Sequence, residues 1–343
     1  MSLPLLALAP LPPLLAALAF LPAPGRRPGR LPRLAELAAL AALALALAGA
    51  AQVALAGPAP LAPGLLAGDR IAAILAGLVA FIGWVVVRYA RRYLDGEARE
   101  GRFHGLLLAT VGTILLTVQA ASLGLLVAGL ALTGLLVERL LRFYPDRPEA
   151  QRAARKFRLA WRASDALLLG AAALLWMGFG TLDLAGLRAG AAEGLPPVAQ
   201  VGVMLIVASA LLRTAAFPVH GWLTEVMEAP TPVSALLHAG IINAGGVVLI
   251  LMAPLVQGSP AAMAALVLAG GFSALFGASV MLTQSAVKTA LAWSTVAQMG
   301  FMLMQCGLGL WALALLHIVA HSLYKAHAFL ASGGAVAEVR DRR

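Results

Sequence analysis

Apolar stretches of about twenty residues alternate along the chain with short segments that contain Gly, Pro or clustered charges. A helix needs roughly 20 mainly apolar residues to cross about 30 Å of hydrocarbon. The pattern therefore predicts an all-α, polytopic transmembrane helix bundle with about eleven spans. The predicted spans are 3–22, 34–57, 71–90, 104–123, 125–143, 164–182, 196–216, 231–253, 261–283, 286–308 and 311–332.

Composition supports a membrane protein, since 61% of the 343 residues are hydrophobic and 12% are charged. Soluble domains have about 45–50% apolar and about 25% charged residues. The net charge of +10 could indicate nucleic acid, but the arginines lie between apolar runs, which is typical of membrane topology. The single cysteine, Cys306, excludes an intramolecular disulfide, a Cys-ligated zinc site and an iron–sulfur cluster. We expect no metal and no cofactor in this chain.

Basic residues are concentrated in the loops 26–33, 91–102 and 142–162, which share one side if the spans alternate. The positive-inside rule then places the N-terminus outside and the C-terminus in the cytoplasm of a bacterial inner membrane. The segment 145–162 is either a basic helix at the cytoplasmic interface or a basic topology loop.

Ionisable residues within the predicted spans are concentrated in the second half of the chain. His317, His321 and Lys325 follow one another at intervals of four, so they share one helix face. Because a buried ionisable residue costs roughly 2.5–3.5 kcal/mol at mid-membrane, such a face predicts a proton relay. The alternative is a polar seam that packs spans together.

Three further features have a structural alternative. Lys288 lies in a span but near its end, where it could extend to the interface. His238 lies deep in the span 231–253 and is either part of an ion path or a hydrogen-bonded core residue. Arg162 and Asp165 stand three apart and are interpreted as a structural ion pair at a membrane boundary.

A broken helix is predicted near 213–232. The interrupting prolines are Pro218, Pro230 and Pro232. Broken helices free backbone groups at membrane depth and are typical of ion-translocating sites. Arg213 precedes the break, and Glu225 and Glu228 lie within it, so the arginine and the glutamates are candidates for a switchable ion pair.

The run HGWLTEVMEAPTPVSALLHAGIINAGG at 220–246 strongly resembles the antiporter-like membrane subunits of respiratory complex I and of Mrp sodium/proton antiporters. The runs SAVKTALAWSTVAQMGFM at 285–302 and LLHIVAHSLYKAHAFLASG at 315–333 continue the resemblance. Weaker similarity extends back to about residue 69. We therefore expect one transmembrane domain over 1–343, with an antiporter-like core over 69–335 and divergent spans over 1–68.

Within that family the motif looks most like the membrane subunit of the DAB inorganic-carbon accumulation complex. The resemblance implies a proton (or Na⁺) conducting subunit that couples cation flow to a large cytoplasmic, zinc-bearing, carbonic-anhydrase-like partner for CO₂/bicarbonate accumulation. The zinc would belong to the partner, and we expect no enzymatic activity of this chain by itself. The alternative is a subunit of a complex I, Mrp or hydrogenase-type assembly. A third possibility is a purely structural membrane scaffold, in which the intramembrane His and Lys residues would have no function.

The resemblance also assigns residues. The positions that match the family's proton path are His238, Lys288, His317, His321 and Lys325, and Arg162 with Asp165 matches its RxxD pair. From the residues themselves we add Glu228 to the path.

Two positions depart from the family's pattern. Arg213 occupies the place of the broken-helix lysine, and Ala131 occupies the place of a glutamate, with Glu138 seven residues later. Arginine retains its proton at physiological pH, so this site cannot release one as lysine can. Family members also continue through about three more spans, so either a partner chain completes the path or this is a short divergent or truncated form.

Overall fold

The computed structural model describes residues 4–62 and 64–341. The chain divides into two compact units, Met1–Pro145 and Asp146–Arg343. The division predicted from the resemblance, a core over 69–335 after divergent spans over 1–68, stays a prediction.

The first unit consists mainly of helices, with a short antiparallel β-hairpin where the sequence indicated a break between spans. Its elements are α1 (Leu5–Leu8), α2 (Leu11–Leu18), α3 (Leu31–Ala56), β1 (Ala59–Ala62), β2 (Leu66–Gly68), α4 (Arg70–Tyr93), α5 (Glu100–Thr117) and α6 (Leu123–Leu141). Side chains cap two of these helices at their first turn. Asp69 accepts the N–H of Ala72 at the start of α4, and Ser122 accepts that of Leu125 at the start of α6.

The second unit contains ten α-helices among its described residues. They are α7 (Pro148–Phe179), α8 (Leu184–Glu193), α9 (Pro197–Arg213), α10 (Gly221–Glu225), α11 (Thr231–Ala239), α12 (Ala244–Leu251), α13 (Ala253–Gln257), α14 (Pro260–Met281), α15 (Val287–Gly307) and α16 (Trp311–Asp341). Two 3₁₀ turns, Val226–Glu228 and Ile241–Asn243, lie beside α11.

Seven helical stretches of the described residues are long and apolar enough to cross a membrane. They are Leu31–Ala56, Arg70–Tyr93, Leu123–Leu141, Pro148–Phe179, Thr231–Leu251, Pro260–Met281 and Trp311–Gly333. Leu5–Leu18 and Pro197–Arg213 are apolar but shorter. The predicted all-α, polytopic membrane class is confirmed, while the count of eleven spans stays a prediction.

The basic segment 145–162 differs from both predicted forms. It is neither a separate helix nor a loop, because residues from Pro148 onward belong to α7, a single helix of 32 residues. The reason is a small and aromatic face at helical spacing, which continues the buried side of the following span. The buried residues of that face are Ala150, Ala153, Ala154, Phe157 and Trp161.

The predicted break near 213–232 is present. Helix α9 ends at Arg213, and the chain continues through α10 and a 3₁₀ turn before α11 begins at Thr231, with Pro232 in its first turn. A second break, which the sequence analysis did not predict, separates α11 from α12 within the predicted span 231–253. There Gly240 leads into the 3₁₀ turn, and the amide of Asn243 donates to the carbonyl of Ala239.

Helices α14 and α15 pack closely because glycines line their contact. A Cβ atom added at Gly300 would lie 2.5 Å from the backbone nitrogen of Ala274, and one at Gly270 would lie 2.6 Å from that of Met304. Small residues allow this approach between membrane helices. The contact fixes the position of α15, which carries part of the candidate site.

Candidate functional site

Helices α11 and α16 bring four predicted ionisable residues together, and α15 adds two hydroxyl groups. The Nε2 atom of His321 lies 3.2 Å from the carbonyl oxygen of His238, and the ring centroids of His317 and His321 are 6.0 Å apart. Lys325 follows one turn later and is fully buried. We call His238, His317, His321, Lys325, Ser294 and Thr295 the His–Lys network.

His238 is fully buried, and two neighbours fix its ring. The Nδ1 atom lies 3.1 Å from the hydroxyl oxygen of Thr295, and the ring stacks on Phe329 with centroids 4.3 Å apart. The Nε2 atom is buried and has no hydrogen-bond partner among the described residues. Depending on the tautomer, this nitrogen either carries the imidazole proton or is an acceptor that can receive one.

Lys325 binds to α15. Its Nζ donates to the carbonyl oxygen of Leu291 at 3.0 Å and to the hydroxyl of Ser294. No carboxylate pairs with it in the described part of the chain, so the ammonium depends on neutral acceptors. A buried ammonium without a counter-ion is costly, which favours exchange of its proton.

A pocket of about 560 Å³ lies along these groups, between α15 and α16. Its lining residues are Met281, Ser294, Gln298, Gln305, Leu313, Leu316, His317, Ala320, His321, Tyr324 and Lys325. Polar groups of both helices therefore face a common space large enough for several water molecules.

A second charged group, which we call the Arg–Asp cluster, joins α7 to α9. Asp165 accepts from Arg213 at 2.6 Å through one oxygen and from Arg162 at 2.7 Å through the other. The Arg213 guanidinium is fully buried and lies over the ring of Trp161, 4.5 Å from its centroid. Two arginines share one carboxylate, so the cluster carries a net charge of +1.

The sequence indicated a pair between Arg213 and the glutamates of the broken segment, but among the described side chains Arg213 pairs with Asp165 and not with Glu225. Glu225 pairs instead with Lys156 of α7, and Asp165 is the carboxylate beside Arg213. The Arg213 pair lies where the break begins, at the end of α9, and the Glu225 pair lies within the break, at the end of α10. The side chain of Glu228 lies outside the described residues, so its role stays a prediction.

Lys288 and His220 lie away from the His–Lys network contacts. Lys288 is half-buried at the second residue of α15. His220 packs against aromatic rings, with centroids 5.6 Å from Phe217 and 4.9 Å from Trp293. Its partial burial lowers the pKa of the imidazole from the ordinary value of 6.5, because desolvation disfavours the charged form.

Residues 120–343 match the protein family described as NADH:quinone oxidoreductase/Mrp antiporter, transmembrane. The chain belongs to this family. The match covers the His–Lys network and the Arg–Asp cluster, and it confirms the resemblance inferred from the motifs.

Several relatives within the family are similar over most of this chain. The probable inorganic carbon transporter subunit DabB2 of Halothiobacillus neapolitanus is 45% identical over 84% of this chain and 53% of its own length. The probable inorganic carbon transporter subunit DabB of Hydrogenovibrio crunogenus is 44% identical over 80% and 54%. NADH-quinone oxidoreductase subunit L of Mycobacterium tuberculosis is 34% identical over 78% and 43%. The chain thus spans about half the length of the curated family members it matches.

Solved structures agree with the family. The Mrp complex from Dietzia sp. DQ12-45-1b contains a chain with a TM-score of 0.80 and 28% identity, over 94% of this chain and 37% of that one. The archaeal membrane-bound sulfane sulfur reductase contains one with a TM-score of 0.85 at 20% identity, over 96% and 70%, which shows the shared fold. Both are multi-subunit membrane complexes.

Proposed function

We propose that this chain conducts protons, or Na⁺, as a membrane subunit of a complex that accumulates inorganic carbon. The buried His–Lys network is the observation that supports conduction, because ionisable groups inside a membrane bundle typically mark ion paths. The similarity to two inorganic carbon transporter subunits, at 45% and 44% identity, supports the physiological role.

The proposed path follows the polar axis through Glu228, His238, Lys288, His317, His321 and Lys325. Protons would move along water that enters the pocket between α15 and α16 and exchange at the imidazole and ammonium groups. Nε2 of His238, which has no hydrogen-bond partner among the described residues, and the ammonium of Lys325, which has neutral acceptors, are the groups best suited to that exchange.

The Arg–Asp cluster would act as a fixed charge rather than as a carrier. Arg213 retains its proton at physiological pH, and both oxygens of Asp165 are occupied by arginines. The coupling between cation flow and a partner would act through the broken segment, which pairs with α7 at Lys156 and Glu225. Arg162 belongs to the same coupling group.

The proposed partner is a large cytoplasmic protein that carries the zinc and hydrates CO₂. The proposed location is a bacterial inner membrane, with the N-terminus outside and the C-terminus in the cytoplasm. Capture of the tagged chain from its native membrane, followed by metal analysis, tests the partner. A stoichiometric zinc protein is expected, and recovery of flavin and iron–sulfur subunits would contradict the carbon role.

Conduction is tested in cells that depend on bicarbonate accumulation. His321→Ala should abolish accumulation at unchanged expression, because it removes the histidine that bridges His317 and His238. His327→Ala, an exposed histidine on the same helix, is the matched control and should leave accumulation unchanged. Full accumulation in His321→Ala would contradict the proposal.

A second candidate is a subunit of a complex I or Mrp assembly, in which a redox reaction or ion exchange drives transport. The 34% identity to a NADH-quinone oxidoreductase subunit and the 0.80 TM-score to a chain of an Mrp complex favour it. Co-purification with such subunits, together with growth that is independent of bicarbonate supply, would establish this alternative.

A further inference from the structure

One backbone carbonyl on α15 receives more donors than it can accommodate. The oxygen of Leu291 accepts from the hydroxyl of Ser294 at 2.9 Å, from that of Thr295 at 3.0 Å and from Lys325 Nζ at 3.0 Å. As a helical carbonyl it also accepts the N–H four residues later. A carbonyl oxygen has two lone pairs, so these donors compete.

The competition matters because the Thr295 hydroxyl has a second possible acceptor. Its oxygen lies 3.1 Å from Nδ1 of His238. One hydroxyl proton can point either to Leu291 or to His238. If it points to Leu291, then Nδ1 must carry the imidazole proton and Nε2 is a vacant acceptor. If it points to His238, then Nδ1 is the acceptor and Nε2 carries the proton.

We propose that Thr295 is a positioning residue that couples the charge of Lys325 to the tautomer of His238. A charged ammonium forms hydrogen bonds roughly twice as strong as neutral donors, so it displaces the hydroxyl from Leu291. Thr295 then donates to His238, which holds the proton on Nε2. Loss of the charge returns the hydroxyl to Leu291 and leaves Nε2 open to receive a proton. This inference rests on the proposed function, in which both residues lie on the path.

The exchange is balanced in protons. One ring nitrogen of His238 gains a proton as the other loses one, so the imidazole stays neutral and no net proton is taken up. The coupling therefore makes the buried histidine ready to accept a proton only after the lysine has lost its own. Ser294 contributes by holding Lys325 at the shared carbonyl.

Nitrogen-15 NMR of the full chain in lipid bilayers, labelled at histidine, tests the coupling because protonated and unprotonated ring nitrogens resonate separately. The chain has six histidines, and comparison with His238→Gln assigns the relevant signals. The comparison is made between the unchanged protein and Lys325→Met, each with Thr295 present and with Thr295→Val, which removes only the hydroxyl.

With Thr295 present, Lys325→Met should shift the His238 population toward the tautomer with a protonated Nδ1. With Thr295→Val, the same replacement should leave the His238 signals unchanged. A shift that persists without the hydroxyl, or no shift with it, would overturn the inference. If Lys325→Met does not fold, Lys325→Gln provides the second perturbation, because it removes the charge and keeps a polar side chain beside Leu291.

Proton flux in proteoliposomes distinguishes a positioning role of Thr295 from a role in stability alone. Thr295→Val should lower the flux about tenfold, the effect of one lost hydrogen bond, and Thr295→Ser should restore it. Thr110→Val deletes a buried hydroxyl with the same helical bond, to Leu106, and should leave flux unchanged. Absence of flux in the unchanged protein would refute the proposed function, while the NMR result would still decide the role of Thr295. Equal loss in Thr295→Ser would refute that role.

Discussion

The His–Lys network and the Arg–Asp cluster are both buried in the second unit, yet they neutralise charge in different ways. In the Arg–Asp cluster a carboxylate lies between two arginines, at 2.6 and 2.7 Å. In the His–Lys network the ammonium has a carbonyl and a hydroxyl as partners, with no carboxylate among the described residues. Under the proposed function, the first arrangement holds its protons, whereas the second exchanges them. Burial of charge alone therefore does not distinguish a proton carrier from a structural ion pair.

The largest effect should come from Asp165→Asn. The substitution leaves the fully buried Arg213 without a counter-charge, at a cost of about 3–5 kcal/mol of folding free energy. Thermal unfolding in detergent measures the loss. Asp146→Asn, an exposed carboxylate at the start of the same unit, is the matched control. Equal unfolding temperatures for the two variants would show that the cluster is not what stabilises Arg213.

Lys325→Met should have the opposite profile. The thioether side chain is close in volume and removes a buried charge that no carboxylate of the described side chains balances, so stability should be unchanged or higher. Proton flux should fall about 100-fold, the lower range for loss of a general acid–base group. Reconstituted vesicles with a pH-sensitive dye measure the flux. If Lys325→Met were destabilised but conducted protons fully, Lys325 would be a structural residue and not a proton carrier.

Arg213→Lys replaces a residue that keeps its proton with one that can release it. The ion pair with Asp165 is retained, but the planar contact with Trp161 is lost, and we expect a destabilisation of about 1–2 kcal/mol. A lysine at position 213 can release a proton, whereas arginine cannot. The proton flux of Arg213→Lys should therefore show a pH dependence that the unchanged protein lacks. Identical pH profiles would mean that residue 213 lies off the path.

Lys156→Ala should have the smallest effect. It removes the ion pair with Glu225, in which the side chains are 48% and 35% exposed. Exposed pairs contribute about 0.2–1 kcal/mol, so the unfolding temperature should barely change. Coupling to a partner, measured as bicarbonate accumulation in cells, should fall more than stability does. Loss of stability comparable with that of Asp165→Asn would show that exposure is a poor guide here.

The sequence predicted elements and one face of the site well, because these depend on local periodicity. Spacing by four placed His317, His321 and Lys325 on one helix face, and they line one pocket. Proline positions predicted the first helix break. The second break, after Gly240, contains no proline, so the sequence did not indicate it. The polar residues Ser294 and Thr295 were visible in the apolar span, but their partners were not.

Pairing across the bundle could not be predicted, because it depends on tertiary packing. Arg213 and Asp165 are 48 residues apart, and the sequence offered nearer glutamates as partners. The stacking of Phe329 on His238 likewise joins two helices that only the fold brings together. Local spacing indicates which side chains share a face, whereas the choice of partner requires the three-dimensional structure.

The length of α7 has a mechanical consequence. At 1.5 Å per residue its 32 residues extend about 48 Å, which exceeds a hydrocarbon layer of about 30 Å by about 18 Å. Lys156 and Asp165 both lie on this helix, and they hold the broken segment at two points, Glu225 within it and Arg213 at its start. A force applied to the end of α7 that extends beyond the hydrocarbon would tilt the whole helix. Binding in the aqueous phase would thereby displace Asp165 inside the bundle without unfolding any helix.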